Sequence, residues 1–286
     1  MGMTDRLRRF LDADDVCVAP GIFDALSARL VERAGFPAVY ASGGAIARSA
    51  GVPDLGLLSV TEVVTRLESV VEAVSVPVIA DADTGYGSAL NVYRTVRQFR
   101  RAGVAALHLE DQLFPKRCGH YDDKKIVSPE EMEQRLHAAR DAVGSDLLLI
   151  ARTDGIAVEG FERTIERAHR YARAGADVLF VEAPASEEQI AAIARELPYP
   201  KLINMFFGGK TPLVPVPALK QLGYRFVIIP SDLQRAALWA MERTLEAIRK
   251  DGSSLGRADQ MYSFRDREQL VSTASYLELE RRYATE

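Results

Sequence analysis

Short runs of β-branched and apolar residues alternate along the chain with longer amphipathic segments. In the longer segments, apolar residues recur three and four positions apart, which is the spacing of one helix face. This spacing predicts helices at 61–74, 90–102, 130–143, 161–174 and 187–197. The short runs predict eight strands at 16–20, 38–42, 76–81, 106–110, 147–152, 178–182, 201–205 and 225–230. A repeated strand–helix order is typical of an α/β fold with a parallel sheet.

The residues that end the predicted strands separate two versions of that fold. An open doubly wound sheet gathers its site at one switch point, whereas a barrel gathers it from the carboxyl ends of many strands. Here the strands end in polar side chains: Ser42, Asp81, Glu110, Arg152, Glu182 and Asn204. We therefore predict a (β/α)8 TIM barrel, with the open sheet as the alternative. The barrel would occupy about 16–252 of a single domain, with a C-terminal helical extension at 253–286 that carries a helix pattern at 266–283.

Composition and charge narrow the classes of function. Of 286 residues, 48% are hydrophobic and 27% are charged, which is typical of a folded chain. The 36 Lys and Arg against 40 Asp and Glu give a net charge of −4, so we do not expect a nucleic-acid-binding surface. Apolar runs are too short for a membrane span, and two cysteines cannot form a disulfide framework. These features predict a cytoplasmic protein without a membrane or nucleic-acid partner.

Carboxylates are concentrated at the ends of two neighbouring predicted strands. Asp81 and Asp83 end one strand, and strand alternation would point both side chains to the same face. Glu110 ends the next strand, and Asp54 follows the second strand in a Gly/Pro-rich loop. Clustered carboxylates repel one another unless they are protonated or share a cation, and oxygen ligands alone favour a hard ion such as Mg²⁺. The alternative is that the two aspartates only cap the following helix. None of the four histidines has the spacing of a zinc ligand.

One cysteine lies in a basic loop after the fourth predicted strand. Cys118 is flanked by Lys116, Arg117 and His120, and such neighbours stabilise a thiolate and lower the pKa of the thiol. A thiol of this kind can donate or accept a proton at carbon. The loop is longer than most connections between a strand and a helix, which indicates a lid. The alternative is an incidental cysteine in a flexible loop.

Taken together, seven segments resemble the isocitrate lyase/phosphoenolpyruvate mutase superfamily. They occur in the order of that superfamily and cover roughly 16–260. The segment at 116–120, with the sequence KRCGH, is the most specific of them. The others are 40–44, 53–56, 81–87, 109–112, 151–154, and Asn204 together with 211–213.

The resemblance implies a TIM barrel with Mg²⁺, or Mn²⁺ as a substitute, at the carboxyl ends of the strands. It also implies a homo-oligomer, usually a tetramer, and in many members of the superfamily the eighth barrel helix is exchanged between neighbouring subunits. Asp81 would bind the metal directly, and Asp54, Asp83 and Glu110 would support it, partly through water. The substrate-binding residues that it implies are Ser42, Gly43, Gly44, Gly119, His120, Arg152, Glu182, Asn204 and Thr211.

Within this superfamily, the cysteine marks the carbon–carbon lyase branch. The implied reaction is a retro-aldol-type cleavage of a 2-hydroxy di- or tricarboxylate into a 2-oxoacid, such as pyruvate, and a carboxylate. Cys118 would protonate the carbanion, Tyr40 would handle the hydroxyl proton, and Arg152 would stabilise the developing charge. Phosphonate chemistry is disfavoured by Cys118, and a barrel kept only as a non-enzymatic module would have lost site residues that are all present here.

The resemblance departs at the end of the seventh predicted strand. Isocitrate and methylisocitrate lyases tend to place hydroxyl residues just after the asparagine, whereas Phe206 and Phe207 follow Asn204 at a distance of two and three residues. A phenyl ring cannot donate a hydrogen bond to the extra carboxylate of a tricarboxylate. This departure predicts an enzyme of the 2,3-dimethylmalate or 2-alkylmalate type, with oxaloacetate hydrolysis or decarboxylation as the alternative.

Overall fold

The structure is a computed structural model that describes residues 2–117, 119 and 123–284. Two residues of the predicted site, Cys118 and His120, therefore lie outside the described residues. Among the described helices, none is both long enough and apolar enough to cross a membrane.

Eight parallel strands form a closed barrel in chain order, which confirms the predicted TIM barrel and excludes the open sheet. The barrel closes where the last strand pairs with the first, with Cys17 opposite Phe226 and Pro20 opposite Ile229. The strands are β1 (Cys17–Ile22), β2 (Val39–Ala41), β3 (Val78–Asp81), β4 (Ala106–Glu110), β5 (Leu148–Thr153), β6 (Val178–Val181), β7 (Lys201–Asn204) and β8 (Tyr224–Ile229).

Helices follow each strand, and the five predicted helices are all present with bounds that differ by at most one residue. The helices are α1 (Met3–Asp12), α2 (Ala25–Arg33), α3 (Gly43–Ser49), α4 (Val60–Ala73), α5 (Ala89–Ala102), α6 (Pro129–Val143), α7 (Ile156–Glu159), α8 (Phe161–Arg173), α9 (Glu187–Glu196), α10 (Val216–Gln221), α11 (Asp232–Asp251), α12 (Phe264–Leu270) and α13 (Thr273–Tyr283).

Serine side chains fix where several of these helices begin. Ser59, Ser128 and Ser186 each accept a hydrogen bond from the backbone N–H three residues later, at the starts of α4, α6 and α9. Such a cap satisfies one of the backbone donors that a helix start leaves unpaired. Helix α5 ends at Gly103, which adopts the left-handed conformation that glycine tolerates best.

Two apolar layers hold the barrel together and leave one end for a site. The outer layer lies between strands and helices, with Leu67, Phe99 and Leu136 fully buried in it. The inner layer fills the barrel with side chains such as Ile150 and Phe226, and Leu7 of α1 is buried in the same cluster. Because α1 contacts β5 and β8, the amino-terminal end of the barrel is covered. The carboxyl ends of the strands are the end that can hold a site.

The C-terminal extension differs from the single helix pattern predicted at 266–283. It contains a short 3₁₀ helix (Leu255–Gln260) and then α12 and α13. These two helices are separated at Ser272, whose φ of 59° is left-handed and interrupts a continuous helix. Large apolar side chains, among them Trp239, Leu245 and Phe264, are exposed on α11 and on this extension.

Candidate active site

A cavity of about 370 Å³ opens at the carboxyl ends of the strands. Most of its lining comes from strand ends and from the loops that follow them, as the barrel fold leads one to expect. Predicted site residues that line it are Tyr40, Ser42, Gly44, Asp54, Asp81, Gly119, Arg152, Glu182 and Asn204. Phe206 and Phe207 also line this cavity.

Three of the four predicted metal ligands lie together at the carboxyl ends of β3 and β4. Asp81, Asp83 and Glu110 each have an oxygen within 4.8 Å of the others. Asp83 does not reach the cluster by strand alternation, because β3 ends at Asp81 and Asp83 has a left-handed φ of 48°. The backbone N–H of Asp83 instead donates to Oδ1 of Asp81 at 3.0 Å. The alternative that these aspartates cap α5 is wrong, since Ser88 is the N-cap residue of that helix.

The electrostatics of this acidic triad fit a divalent cation. Burial raises the pKa of Glu110 well above its ordinary value, and burial raises the pKa of Asp83 to about 6. Oε1 of Glu110 is buried and has no hydrogen-bond partner among the described residues. A cation would relieve the repulsion and give this oxygen a partner, and a donor set of carboxylate oxygens alone suits a hard ion.

A lysine balances part of this negative charge, a role that the sequence pattern does not indicate. Lys116 is almost fully buried, forms an ion pair with Asp54, and lies 2.8 Å from Oδ1 of Asp83. Burial opposes the charge of Lys116, but Asp83, Asp54 and Glu110 outweigh burial and raise its pKa well above the ordinary value. Asp54 therefore lies beside the triad, bound to Lys116. Lys116 was noted in the sequence only as a neighbour of Cys118.

Tyr40 lies below the triad in contact with a histidine. Its hydroxyl is 2.9 Å from Nε2 of His108 and 3.5 Å from Oδ2 of Asp81. Burial raises the pKa of Tyr40 well above its ordinary value, so the side chain is a neutral phenol. His108 points into the barrel because it lies two residues before Glu110 on β4, and this alternation was the signal in the sequence that could have identified it.

Arg152 is held by carboxylates on two sides. Its Nε and Nη2 donate to the two oxygens of Asp154 at 2.9 and 3.1 Å, and its Nη1 lies 3.3 Å from Glu110. The guanidinium also lies over the ring of Phe180, 5.3 Å from its centroid. Asp154 in turn accepts a hydrogen bond from Lys124 at 2.7 Å. Neither Asp154 nor Lys124 was predicted as a site residue. Asp154 lies two residues after Arg152, at the end of β5.

Three predicted substrate-binding residues at 42–44 lie directly against the acidic residues. The backbone N–H of Gly43 donates to Oδ2 of Asp81 at 3.2 Å. A Cβ on Gly43 would lie 2.7 Å from Oδ2 of Asp81, and one on Gly44 would lie 2.8 Å from Oδ2 of Asp54 and from Nη1 of Arg48, so a side chain at either position would displace these groups. Ser42 caps α3 through its Oγ, which accepts from the N–H of Ala45 at 3.3 Å.

Among the remaining predicted substrate-binding residues that the structure describes, three line the cavity and Thr211 does not. Nδ2 of Asn204 donates to Oε1 of Glu182 at 3.3 Å, and both residues line the cavity. Gly119 also lies in the cavity, where its backbone contacts Arg152 and Glu182. Thr211 is buried but does not line this cavity.

The match to a known family covers most of the barrel. A family defined by phosphoenolpyruvate phosphomutase matches residues 7–249. The chain belongs to this family. The predicted superfamily is therefore confirmed. Within it, a 2,3-dimethylmalate lyase of Eubacterium barkeri is 42% identical over 100% of this chain and 99% of its own length. A 2-methylisocitrate lyase of Aeropyrum pernix is 43% identical over 97% of this chain and 89% of its own length. These curated relatives are lyases, which confirms the predicted class of enzyme.

Solved structures of the superfamily share the fold of this protein over almost its whole length. An oxaloacetate acetylhydrolase in complex with the inhibitor 3,3-difluorooxalacetate has a TM-score of 0.92 and 35% identity, covering 98% of this chain and 96% of that one. A phosphonopyruvate hydrolase in complex with oxalate and Mg²⁺ has a TM-score of 0.91 and 29% identity, covering 99% of both chains.

Proposed function

We propose that this protein cleaves a carbon–carbon bond of a 2-hydroxy di- or tricarboxylate of the 2-alkylmalate or 2-methylisocitrate type. The products would be a 2-oxoacid such as pyruvate and a carboxylate. One observation carries the proposal: Asp81 and Arg152 line one cavity, Asp81 belongs to the acidic triad, and Arg152 lies 3.3 Å from Glu110 of the same triad. Charge that develops on a cleaved substrate can be stabilised by groups held in place in this way.

We propose Mg²⁺ as the metal, with Mn²⁺ as a substitute. Asp81 would bind it directly, and Asp83, Glu110 and Asp54 would support it, partly through water. The unpartnered Oε1 of Glu110 and the raised pKa of that carboxyl support a site that is completed by a cation. When bound, a divalent ion of this kind stabilises negative charge on the oxygen of an enolate.

The residues of the chain would then bind the substrate at both ends. Ser42, Gly43 and Gly44 would hold one carboxylate, and Arg152 would pair with the negative charge of the substrate. Glu182, Asn204, Gly119, His120 and Thr211 complete the proposed binding residues. Of those that the structure describes, Thr211 is the one that does not line the cavity.

Two residues would move the protons. The substrate hydroxyl proton would pass to the oxygen of Tyr40 as the phenol proton passes to Nε2 of His108, 2.9 Å away. A coupled transfer avoids a phenolate, which the raised pKa of Tyr40 disfavours. Burial lowers the pKa of His108, but Asp81 opposes this shift and would stabilise the imidazolium, since its Oδ1 lies 3.6 Å from Nε2. Cleavage then leaves a carbanion stabilised as an enolate, and the thiol of Cys118 would supply its proton.

The cavity wall favours an alkylated dicarboxylate over a tricarboxylate. Phe206 and Phe207 both line the cavity, together with Leu238 of α11. These side chains can pack against an alkyl group but cannot donate a hydrogen bond to a third carboxylate, and an unpaired charge there would be costly. We therefore propose that 2-alkylmalates are turned over better than methylisocitrate.

A substrate panel tests the proposal directly. Release of pyruvate or glyoxylate is measured by a coupled assay across 2-hydroxy di- and tricarboxylates, and oxaloacetate is assayed by its own consumption, each with Mg²⁺ and with a chelator. We expect turnover that depends on the metal and is greatest for an alkylmalate or oxaloacetate. A kcat/KM for methylisocitrate far above both would contradict the proposed specificity, and release of no 2-oxoacid from any member would contradict the lyase reaction.

Oxaloacetate hydrolysis or decarboxylation on the same site is the second candidate. It is favoured by the similarity to the oxaloacetate acetylhydrolase over 98% of this chain. Cys118→Ser separates the lyase from decarboxylation, because the pyruvate enolate left by decarboxylation can take its proton from water, whereas the less stable enolate of a carboxylate left by the lyase reaction needs the thiol. The lyase predicts that this variant loses turnover of alkylmalates, whereas a decarboxylation without this proton donor would persist. Unchanged alkylmalate cleavage would show that Cys118 is not the proton donor.

We further propose that the protein acts in the cytoplasm as a homo-oligomer, of the tetrameric type that the resemblance implies. Helix α11 supports an oligomer, since Gln234 is its one buried residue and the exposed side chains include Leu238, Trp239 and Leu245. An apolar helix face of this kind is stabilised when another subunit covers it. In this proposal residues 16–252 form the barrel of a single domain, and residues 253–286 extend from it.

A further inference from the structure

The carboxylate of Asp154 is shared by two different parts of the site. Both of its oxygens accept hydrogen bonds from Arg152, at 2.9 and 3.1 Å. Its Oδ1 also accepts a hydrogen bond from Lys124 at 2.7 Å. All three side chains are buried. Charged groups that are buried in this way are stable only when each has its partners, so the loss of one affects the others.

Lys124 connects this carboxylate to the loop between β4 and α6. Its ammonium donates a second hydrogen bond to the carbonyl oxygen of Gly119, at 2.5 Å. The backbone of Gly119 lies directly against the guanidinium, since a Cβ there would be 2.4 Å from Nη2 of Arg152 and 2.6 Å from Oε1 of Glu182. Lys124 therefore holds the loop at Gly119, where a side chain would collide with Arg152 and Glu182.

Asp154 is itself fixed from below. Its backbone N–H donates to Oδ1 of Asp111 at 2.9 Å, and Asp111 also accepts hydrogen bonds from Thr153 and Tyr171 at 2.7 and 2.9 Å. Burial would raise the pKa of Asp154, but Arg152 and Lys124 outweigh burial and hold it well below its usual range. The shared carboxylate is therefore charged and has little freedom to move.

We propose that Asp154 and Lys124 are positioning residues, which together orient Arg152 and hold the backbone of Gly119 over its guanidinium. This inference rests on the proposed function in one respect, namely that Arg152 binds the negative charge of the substrate. A guanidinium whose direction is fixed in advance does not have to be reordered when the substrate binds, and the backbone above it excludes water.

The two residues have different predicted effects when they are removed. Lys124→Met frees the loop but leaves both hydrogen bonds between Arg152 and Asp154, so we expect a kcat that is lower by about 100-fold with oxalate affinity nearly unchanged. Asp154→Asn removes the charge that orients Arg152 and also the anchor of Lys124. We expect this variant to have a lower kcat than the wild type. We also expect it to bind oxalate at least about tenfold more weakly in the presence of Mg²⁺.

Loop position is measured separately by limited trypsin cleavage after Arg117, a site that every variant keeps, without substrate. Cleavage of a folded protein follows the population in which the segment is open. We expect Lys124→Met to be cleaved at least about tenfold faster than the wild type. Lys125→Met is the matched control: it lies one residue away in the same loop, is exposed, and also removes one trypsin site. We expect the control to match the wild type in cleavage, oxalate affinity and kcat.

Several outcomes would overturn the inference. Equal cleavage of Lys124→Met and Lys125→Met would show that Lys124 does not hold the loop, and wild-type oxalate affinity in Asp154→Asn would show that Asp154 does not orient Arg152. If circular dichroism shows that Lys124→Met is unfolded, Lys124→Arg replaces it, because arginine keeps the charge and should protect the loop better than Lys124→Gln. Equal cleavage of those two variants would also overturn the inference.

These measurements distinguish the inference from the proposed function. Trypsin cleavage and oxalate binding need no turnover. If the wild type binds oxalate but cleaves no 2-hydroxy acid, the proposed function fails while the positioning role is still tested. If the wild type cleaves an alkylmalate and Lys124→Met behaves like Lys125→Met, the positioning role fails alone.

Discussion

At the scale of single residues, the most unusual feature of this protein is the number of charges buried next to one another. Lys116, Arg152 and the acidic triad lie within one connected group, and each would be costly to bury alone. The pKa shifts show how the charges depend on each other, since the carboxylates keep Lys116 protonated while burial makes Glu110 hard to ionise. A group with surplus negative charge should be stabilised by any cation that enters it.

Lys116→Met tests this balance. It leaves Asp54 and Asp83 buried without their cation, so we expect the free energy of unfolding in a chelator to fall by about 3–5 kcal/mol. Adding Mg²⁺ should raise the melting temperature of the variant more than that of the wild type, because the metal replaces the lost positive charge. Thermal unfolding with and without the metal measures both effects. Lys125→Met is the control, and a variant as stable as that control in the chelator would contradict the prediction.

The buried thiol of Cys17 gives a prediction about pH. Burial, together with the charge of Asp15, raises the pKa of this thiol from its ordinary 9.0 to about 12. Below pH 9 the thiol is neutral in both states, so its contribution to stability is fully present. Between pH 9 and 12 only the unfolded state ionises, and the contribution is lost by about 1.4 kcal/mol per pH unit.

Urea unfolding of the wild type and of Cys17→Ala, which cannot ionise, isolates this effect. The difference in free energy of unfolding between them should be constant from pH 7 to 8 and should then decrease above pH 9. Cys118 is present in both proteins, so its own ionisation cancels. A difference that stays constant up to pH 10.5 would show that Cys17 is not protected from ionisation.

At the scale of elements, the sequence predicted the strands better than the contacts between their ends. Alternation of β-branched runs and amphipathic segments was enough to predict eight strands, because one face of each helix must be apolar to pack on the barrel. It could not predict that Asp83 joins the triad through a left-handed turn, because such a conformation leaves no period in the sequence. Lys124 and Lys125 are adjacent residues of the same type, so the sequence alone does not distinguish them. In the folded loop Lys124 is buried and Lys125 is exposed.

The contact between β1 and the end of β8 gives a prediction about an element. A Cβ on Gly21 would lie 2.2 Å from the carbonyl oxygen of Pro230, whose backbone cannot move without shifting β8. We expect Gly21→Ala to lower the free energy of unfolding by about 1–3 kcal/mol. Gly256→Ala is the control, because a Cβ there would contact nothing within 4 Å. Equal stability of the two variants in urea would contradict this close contact.

At the scale of the whole molecule, the two ends of the barrel and its last helix have different environments. Helix α1 covers the amino-terminal end, and the cavity opens at the other end. Helix α11 begins beside that cavity, where Gln234 donates to the carbonyl oxygen of Ala45 at 2.9 Å, but further along it exposes apolar side chains. Helix α11 thus contributes to the cavity at its start and exposes an apolar face beyond it. Contact between subunits through this face would therefore affect the cavity.

This connection predicts that one apolar side chain of α11 controls the oligomeric state. Leu245 is 65% exposed, and in a homo-oligomer it would be covered by another subunit. Leu245→Glu would bury a charge at that contact, so we expect sedimentation to show dissociation toward monomers, with the circular dichroism of the barrel unchanged. Lys250→Glu, at an exposed polar position of the same helix, should keep the wild-type assembly. Because α11 begins at the cavity, dissociation should also weaken oxalate binding. A monomeric wild type, or a Leu245→Glu variant of wild-type mass, would contradict the proposed assembly.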